Sequence, residues 1–416
     1  MQVQIISARK VKESSGGGYK MFRGIAKGVN SYHYEVVFAD GKIYTSQTEN
    51  EYPESEYKVE FDKKQQIEDA KKWHAEQVEK TNLNKIIATN TKLQYFTKKL
   101  LTLSKKEIDF FKHKLFPILN QFTRLQQIIK LGSKYNIPLR QIRELTELGY
   151  IYYFSNVISE LDKFGGMAAF NKIVADYEKL PTLTTRTSTI IDLAQYSTPS
   201  PVAYLFGEFA GEVETAFDPT AGNGMLFLNV KAKEKYGNEI SLYRLKNLNY
   251  QGINTTYFDA TKEFPEEYKQ KFDFIVTNPP FGTFPPMKFD KYEITSLEHY
   301  IVLKALETMK PTGRAAIIVG GNVKYDINGI ITPGKFRQFL FYLYSKYNVV
   351  DVLNCSGDLY YKMGASFPIT IIFIKGITHI PKYPPRVDFD LSTGMTNSPN
   401  QILHFEAIKS RVENLI

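Results

Sequence analysis

The chain has 416 residues, 53 Lys and Arg against 44 Asp and Glu, a formal net charge of +9 and one cysteine, Cys355. That length implies two or three domains with a sizeable core, and a lone cysteine excludes disulfides within the chain and fits a reducing cytosol. No apolar run approaches a membrane span, MQVQIISARKVKESSGGG lacks a signal-peptide pattern, and six histidines without paired spacing argue against a zinc site.

Residues 1–60 read as a small β-rich unit. VQIIS is a strand candidate, and YHYEVVF and KIYTS flank Asp40-Gly41, a short-hairpin signal. Residues 61–181 read as a basic helical domain. Ser104-Lys105-Lys106-Glu107 has the form of a capping box, Gly132 is expected to close the helix it opens, and Pro138 to start the next. Here Lys85, Lys92, Lys98, Lys99, Lys105, Lys106, Lys112, Lys114, Arg124, Lys130, Lys134, Arg140 and Arg143 face only Glu107 and Asp109, with phenylalanines interleaved. A solvated helix face over a phenylalanine core accounts for such a run. So one-sided a balance favours a polyanion partner. KLGSKYNIPLRQIREL has a loose likeness to a helix-turn-helix.

From about Thr182 to Pro385 short apolar strands alternate with helical stretches, as in an α/β domain with a doubly wound, mostly parallel sheet. FDFIVTN, RAAIIVGG, VVDVLNC and PITIIFIKG are the clearest strands, and 297–309 reads as an amphipathic helix stopped by Pro311 and Gly313. Residues 386–416 are polar and weakly patterned, and read as a tail or the edge of a further segment.

The chemistry concentrates in three places along this domain. In TAFDPTAGNGMLFLNV a strand ends at Asp218, a turn with Gly222 and Gly224 allows close backbone approach to a ligand, and a helix is expected to follow. The third glycine of a dinucleotide fingerprint is missing, since Leu226 and Phe227 stand there. Glu239 closes the next strand candidate, where an acid can hold ribose hydroxyls, and Asp259 ends the one after, placed to accept from an exocyclic amine. Last comes Asn278-Pro279-Pro280-Phe281 at the carboxyl end of FDFIVT. Two prolines stiffen the turn and leave its carbonyls free. Asn278 and the Pro279 carbonyl can accept from a planar amine whose ring stacks on Phe281.

Asp218-Pro219-Thr220-Ala221-Gly222-Asn223-Gly224 followed by Asn278-Pro279-Pro280-Phe281 resembles the S-adenosylmethionine-dependent amino-methyltransferases, specifically the N6-adenine DNA methyltransferases. Tyr196-Ser197-Thr198-Pro199 is similar to that family's methionine-binding motif, and its place ahead of the glycine motif matches the gamma ordering. The resemblance covers about Thr185 to Gly376. It implies a class I, Rossmann-like fold and S-adenosylmethionine as cofactor. Tyr196, Thr198, Pro199, Asp218, Pro219, Gly222 and Gly224 would then surround its methionine part, with Glu239 at the ribose, Asp259 at the adenine and Asn278 beside the methyl group. Ser241 stands where many members carry a second acid.

The resemblance further implies DNA as substrate, base flipping, and a second stacking aromatic, Tyr360 or Tyr361, before the last strand. Lys98, Lys99, Lys105, Lys106, Lys112 and Lys114 would contact phosphates. About forty residues follow the last strand, too few for a target-recognition domain, so target choice is expected from the amino-terminal half, a specificity subunit, a fused helicase or another continuation. A cytoplasmic location in a bacterial or phage-infected cell goes with this. Two alternatives remain: methylation of RNA or a protein glutamine, and a catalytically silent nucleic-acid-binding subunit. Phe281 in place of tyrosine, Thr198-Pro199 and the basic arm lean towards DNA.

Overall fold

A computed structural model describes the strands at 5–16, 29–38 and 43–50 and residues 101–182, 197–364, 367–387 and 401–416. The chain divides into two units, Met1–Gln94 and Tyr95–Ile416. In the first, β1 (Ile5–Gly16), β2 (Val29–Phe38) and β3 (Ile43–Asn50) form an antiparallel sheet in that order, with Val37 opposite Ile43. The Asp40-Gly41 turn itself lies outside the described residues, as do Tyr196, Lys98 and Lys99.

The second unit begins with helices. α1 (Lys105–Phe110) opens on the expected capping box: the Glu107 N–H donates to Ser104 Oγ at 3.3 Å and the Ser104 N–H to Glu107 Oε2 at 2.6 Å. It does not continue to Gly132. A π-helical turn (Phe111–Leu115) and a 3-10 turn (Phe116–Gln121) carrying Pro117 interrupt it, because proline removes a backbone donor and crowds the preceding turn. α2 (Leu125–Lys134) follows, and Asn136, with φ 51°, ends it in place of Gly132. Gly132 is instead a contact point, since a Cβ there would stand 2.4 Å from the Ile142 side chain. Ile142 belongs to α3 (Leu139–Leu161), which starts after Pro138 as expected. The helix-turn-helix likeness ends there, because the start of α3 buries Gln141, Ile142, Glu144 and Leu145 instead of presenting them. α4 (Gly166–Tyr177) completes the group.

After α5 (Ser200–Ala210) the chain builds one eight-stranded sheet. Its strands are β4 (Glu212–Asp218), β5 (Lys231–Asn238), β6 (Asn254–Thr256), β7 (Phe272–Thr277), β10 (Met309–Gly320), β11 (Tyr347–Cys355), β12 (Ile369–Ile377) and β13 (Gln401–Ile402). The order across the sheet is β13-β11-β12-β10-β7-β4-β5-β6. Pairs β6–β5, β5–β4, β4–β7 and β7–β10 are parallel, and β12 runs antiparallel to both neighbours. This is the class I methyltransferase arrangement. The order reverses between β4 and β7, and in such sheets the ligand crevice lies beyond the strand ends at that switch point.

Side chains alternate along the central strands. Ala316, Ile318, Ile371 and Phe373 join a cluster with Leu145, Phe154, Phe170 and Phe206, while Ile317, Val319, Ile372 and Ile374 join Leu303 and Phe339 on the other face. The helices of α1 to α4 therefore share one core with the sheet. The second face is covered by α7 (Leu297–Leu306) and α8 (Lys335–Lys346). α7 stops three residues earlier than expected, and Pro311 and Gly313 fall within β10 at a register shift. Every residue from Glu298 to Leu306 is buried, so α7 is a core helix and not amphipathic. α6 (Leu242–Tyr250) lies between β5 and β6, and a hairpin of β8 (Thr283–Phe289) and β9 (Tyr292–Ser296) precedes α7.

The tail rejoins the sheet. β13 pairs with β11, and α9 (Phe405–Glu413) sets Phe405 edge-on to Tyr177 with ring centroids 5.4 Å apart. Apolar residues at 402, 405, 408 and 412 explain this, and they recur at helical spacing within an otherwise polar stretch. Among the described residues no helix is long and apolar enough to cross a membrane.

Candidate active site

A cavity of about 540 Å³ opens at the carboxyl ends of β4, β5 and β7. Its floor is the turn after β4. Gly222 (φ 56°) and Gly224 (φ 91°) hold the left-handed backbone that L-residues resist. A Cβ on Gly222 would meet nothing within 4 Å, so the turn offers bare backbone to the cavity. One on Gly224 would press on Leu248 and Gln251 of the α6 region. The expected helix after this turn is one 3-10 turn, Met225–Phe227.

The acids stand where the strand ends put them. Asp218 is buried, with the Thr220 N–H donating to Oδ1 at 2.9 Å, and burial pushes its carboxyl up to about 7. Glu239 follows β5 directly and accepts the Ser241 N–H at 2.6 Å, and burial raises its pKa as well. Asp259 is exposed at the rim, its Oδ1 taken by the Thr261 N–H at 2.9 Å and hydroxyl at 2.8 Å. All three line the cavity with Pro219, Ile240 and Phe258. Asn238, which the sequence did not single out, ties these loops together. Its amide donates to the Pro219 and Phe258 carbonyls, each at 3.0 Å, and accepts the Thr256 hydroxyl at 3.0 Å and the Phe258 N–H at 3.2 Å.

The helical region supplies a second polar network. Glu144 and Glu147 stand one turn apart on α3. The Asn223 amide donates to Glu144 Oε2 at 2.7 Å and to Glu147 Oε2 at 3.0 Å, and accepts from Asn247 at 2.8 Å. Arg244 of α6 donates to Glu144 Oε2 at 3.0 Å. Burial opposes the Arg244 charge, but Glu144, Glu239 and Glu147 together hold the guanidinium above its ordinary value. Ser197 donates to Glu147 Oε1.

The Asn278 turn closes the cavity. Asn278 Nδ2 donates to Thr198 Oγ1 at 3.1 Å, which orients the amide and leaves its oxygen as the acceptor on the other side. Thr277 and Thr220 share a hydroxyl contact at 3.1 Å, joining this strand to the glycine turn. Pro279 and Pro280 line the cavity, and the Gly282 N–H donates to buried Glu298 Oε2 at 3.0 Å. Lys335 pairs with the other Glu298 oxygen at 3.2 Å. The Phe281 ring lies over Gly320, where a Cβ would come within 2.7 Å of it. Pro199 is buried at the start of α5 and does not reach the cavity.

The two tyrosines part company. Tyr360 lines the cavity but is 2% exposed, and burial drives its hydroxyl well above the ordinary value. Tyr361 is 48% exposed and away from the lining. Phe367, just before β12, is 59% exposed and lines the mouth. Of the lysines, Lys105, Lys106, Lys112 and Lys114 are exposed, and Lys106 donates to the Asn136 carbonyl at 2.9 Å.

These residues fit S-adenosylmethionine: bare backbone at Gly222, acids at three successive strand ends, and apolar Ile240 and Phe258 beside the last two. The family described as N-6 DNA methylase matches residues 177–409, more than half of the chain. A solved structure from Listeria monocytogenes, provisionally a class I S-adenosylmethionine-dependent methyltransferase, is 13% identical over 74% of this chain and 99% of its own, with TM-score 0.42. A provisionally assigned modification subunit of a type I restriction enzyme from Vibrio vulnificus YJ016 is 15% identical over 44% of each chain, with TM-score 0.36. The type I restriction enzyme EcoKI M protein is 17% identical over 68% of this chain and 66% of its own, with TM-score 0.35. The chain thus spans less than half of the Vibrio subunit and about two thirds of the EcoKI one. No curated protein matches. The extent of the family match decides the matter: this chain belongs to the N-6 DNA methylase family, and it is a methyltransferase that uses S-adenosylmethionine.

Proposed function

We propose that the chain methylates the N6 amine of an adenine turned out of duplex DNA. The observation that carries this reading is the Asn278 amide, held by Thr198 at 3.1 Å with its oxygen left to accept, between the cofactor cavity and two accessible phenylalanines. When bound, S-adenosylmethionine supplies a methyl group activated by its sulfonium. Asn278 Oδ1 and the Pro279 carbonyl accept the two amine hydrogens and turn the nitrogen lone pair towards that methyl group. An aromatic amine so held needs positioning and electrostatic support more than a strong base.

Phe281, fixed over Gly320, and Phe367 at the mouth give a flipped base its stacking faces, in place of Tyr360 and Tyr361. Thr198 and the Gly222 turn hold the methionine part of the cofactor, Glu239 the ribose and Asp259 the adenine amine. Incubation with methyl-labelled cofactor and DNA, RNA and bulk protein tests the reading. Nuclease digestion and chromatography are expected to place the label in N6-methyladenine of DNA. Label in RNA or in glutamine, with none in DNA, would overturn it.

The exposed lysines of α1 and the turn after it lie along DNA phosphates in this reading. Binding then releases counterions, so log affinity falls with log salt by about 0.9 for each phosphate neutralised. A variant with Glu at Lys105, Lys112 and Lys114 spares Lys106, which holds the end of α2. It is expected to bind all DNA sequences more weakly and with a shallower slope, since phosphate contacts read no bases. An unchanged slope in filter binding would make these lysines a solvated face.

A further inference from the structure

The glycine turn and the Thr198 segment are joined by one side chain that belongs to neither. Glu147, on α3 of the helical region, accepts from Ser197 through Oε1 and from Asn223 Nδ2 at 3.0 Å through Oε2. It lines the same cavity. Each of its oxygens has capacity for a further donor. The charged groups facing it are Arg244 from α6 and Glu144 from its own helix. Arg244 directs its Nε to Glu144, so the nearest guanidinium is bonded to the neighbouring acid. Glu144, Glu147 and Glu239 all face the Arg244 guanidinium at this end of the cavity, while Arg143 faces Glu144 alone among them. A half-buried carboxylate in that setting lacks a full counter-charge, and a bound cation would supply it.

We infer that Glu147 is the anchor for the α-ammonium group of the cofactor's methionine end, so that the helical region, and not the glycine turn alone, completes the cofactor site. This rests on the cavity being the cofactor site. The ammonium has three donors, and Glu147 offers two oxygens already oriented by Ser197 and Asn223, so little ordering accompanies the contact. Burial raises the Glu147 pKa, and an adjacent ammonium would hold the carboxylate in its charged form.

The test is calorimetry with three ligands: S-adenosylhomocysteine, its analogue with hydrogen in place of the α-amino group, and methylthioadenosine, which lacks the amino-acid end. The wild type is expected to prefer S-adenosylhomocysteine over the deaminated analogue. Glu147→Gln keeps the side-chain shape, with its charge removed, and is expected to lose that preference. Its affinity for S-adenosylhomocysteine should fall by about tenfold to a hundredfold, as for one charge-assisted bond, with methylthioadenosine unaffected. Equal weakening of all three ligands would make Glu147 a strut for the turn and overturn the inference. So would an unchanged ligand ratio in the variant. A wild type that binds the two amino-acid ligands equally well overturns it without any variant. A wild type that binds none of the three would instead show that the cavity is not the cofactor site.

Discussion

Asn278→Ala is expected to lower the rate of methyl transfer to DNA by on the order of a hundredfold or more, with cofactor affinity changed little. Asn278 sits at the cavity mouth, and its one side-chain bond is to Thr198 at 3.1 Å. Its loss leaves a buried threonine hydroxyl short of one partner, a modest effect on the cofactor end. The substrate end loses a preorganised acceptor that matters most as the amine develops positive charge, and removal of one such group has effects of this size. Pro279 is buried in a stiff turn, so its carbonyl stays in place and the remaining contact is intact. Single-turnover rates at saturating cofactor and DNA separate the chemical step from binding. A rate within a few fold of wild type would mean that the amine is held elsewhere.

The cofactor-free protein is expected to lose stability as pH rises from about 4 through about 7. Asp218 is 1% exposed and its carboxyl is pushed up to about 7 by burial, against about 3.9 in an unfolded chain. Between those values the folded chain binds the extra proton, so stability is full below the unfolded value and falls as pH passes the folded one. The gap corresponds to about 4 kcal/mol for Asp218 alone. Glu147 and Glu239, also raised by burial, act in the same direction. Asp218→Asn can still accept the Thr220 N–H and should flatten the profile. Denaturant titrations at several pH values between 5 and 8 check this, and parallel profiles for variant and wild type would show that Asp218 does not titrate there.

The parts of the site legible in the sequence are those that local pattern controls. The Asn278 turn follows β7, FDFIVT, whose apolar run is plain, and Asp218 ends the shorter apolar stretch of β4. Glu239 and Asp259 instead follow the largely polar β5, KAKEKYGN, and β6, NTT, and are legible through their spacing after the glycine turn. Glu147 was not legible, because its partners Ser197 and Asn223 are 50 and 76 residues away and an acid on a helix usually faces water. Asn238 carries no charge and sits next to a conspicuous glutamate. Phe367 was masked by the tyrosine pair at 360 and 361, where burial decides which ring is accessible. For the fold, the tail and the break after Phe110 were missed for related reasons. β13 exists only by pairing with β11, and α1 ends where Pro117 and tertiary packing outweigh helix propensity.

The Asn238 strut has a consequence for evolvability. All four of its hydrogen-bonding capacities are used, on Pro219, Thr256 and Phe258, so the loop after β4 and the segment that ends β6 both depend on one planar amide. Asp would bring two lone-pair oxygens to two carbonyls that need donors, and Gln would displace the amide by a methylene. Position 238 therefore has almost no neutral neighbours in sequence space. Outside the two left-handed glycines and the acids that face the cavity, the loops it braces can vary while keeping a common geometry, so this stretch can accept new side chains around the cofactor without first rebuilding its frame.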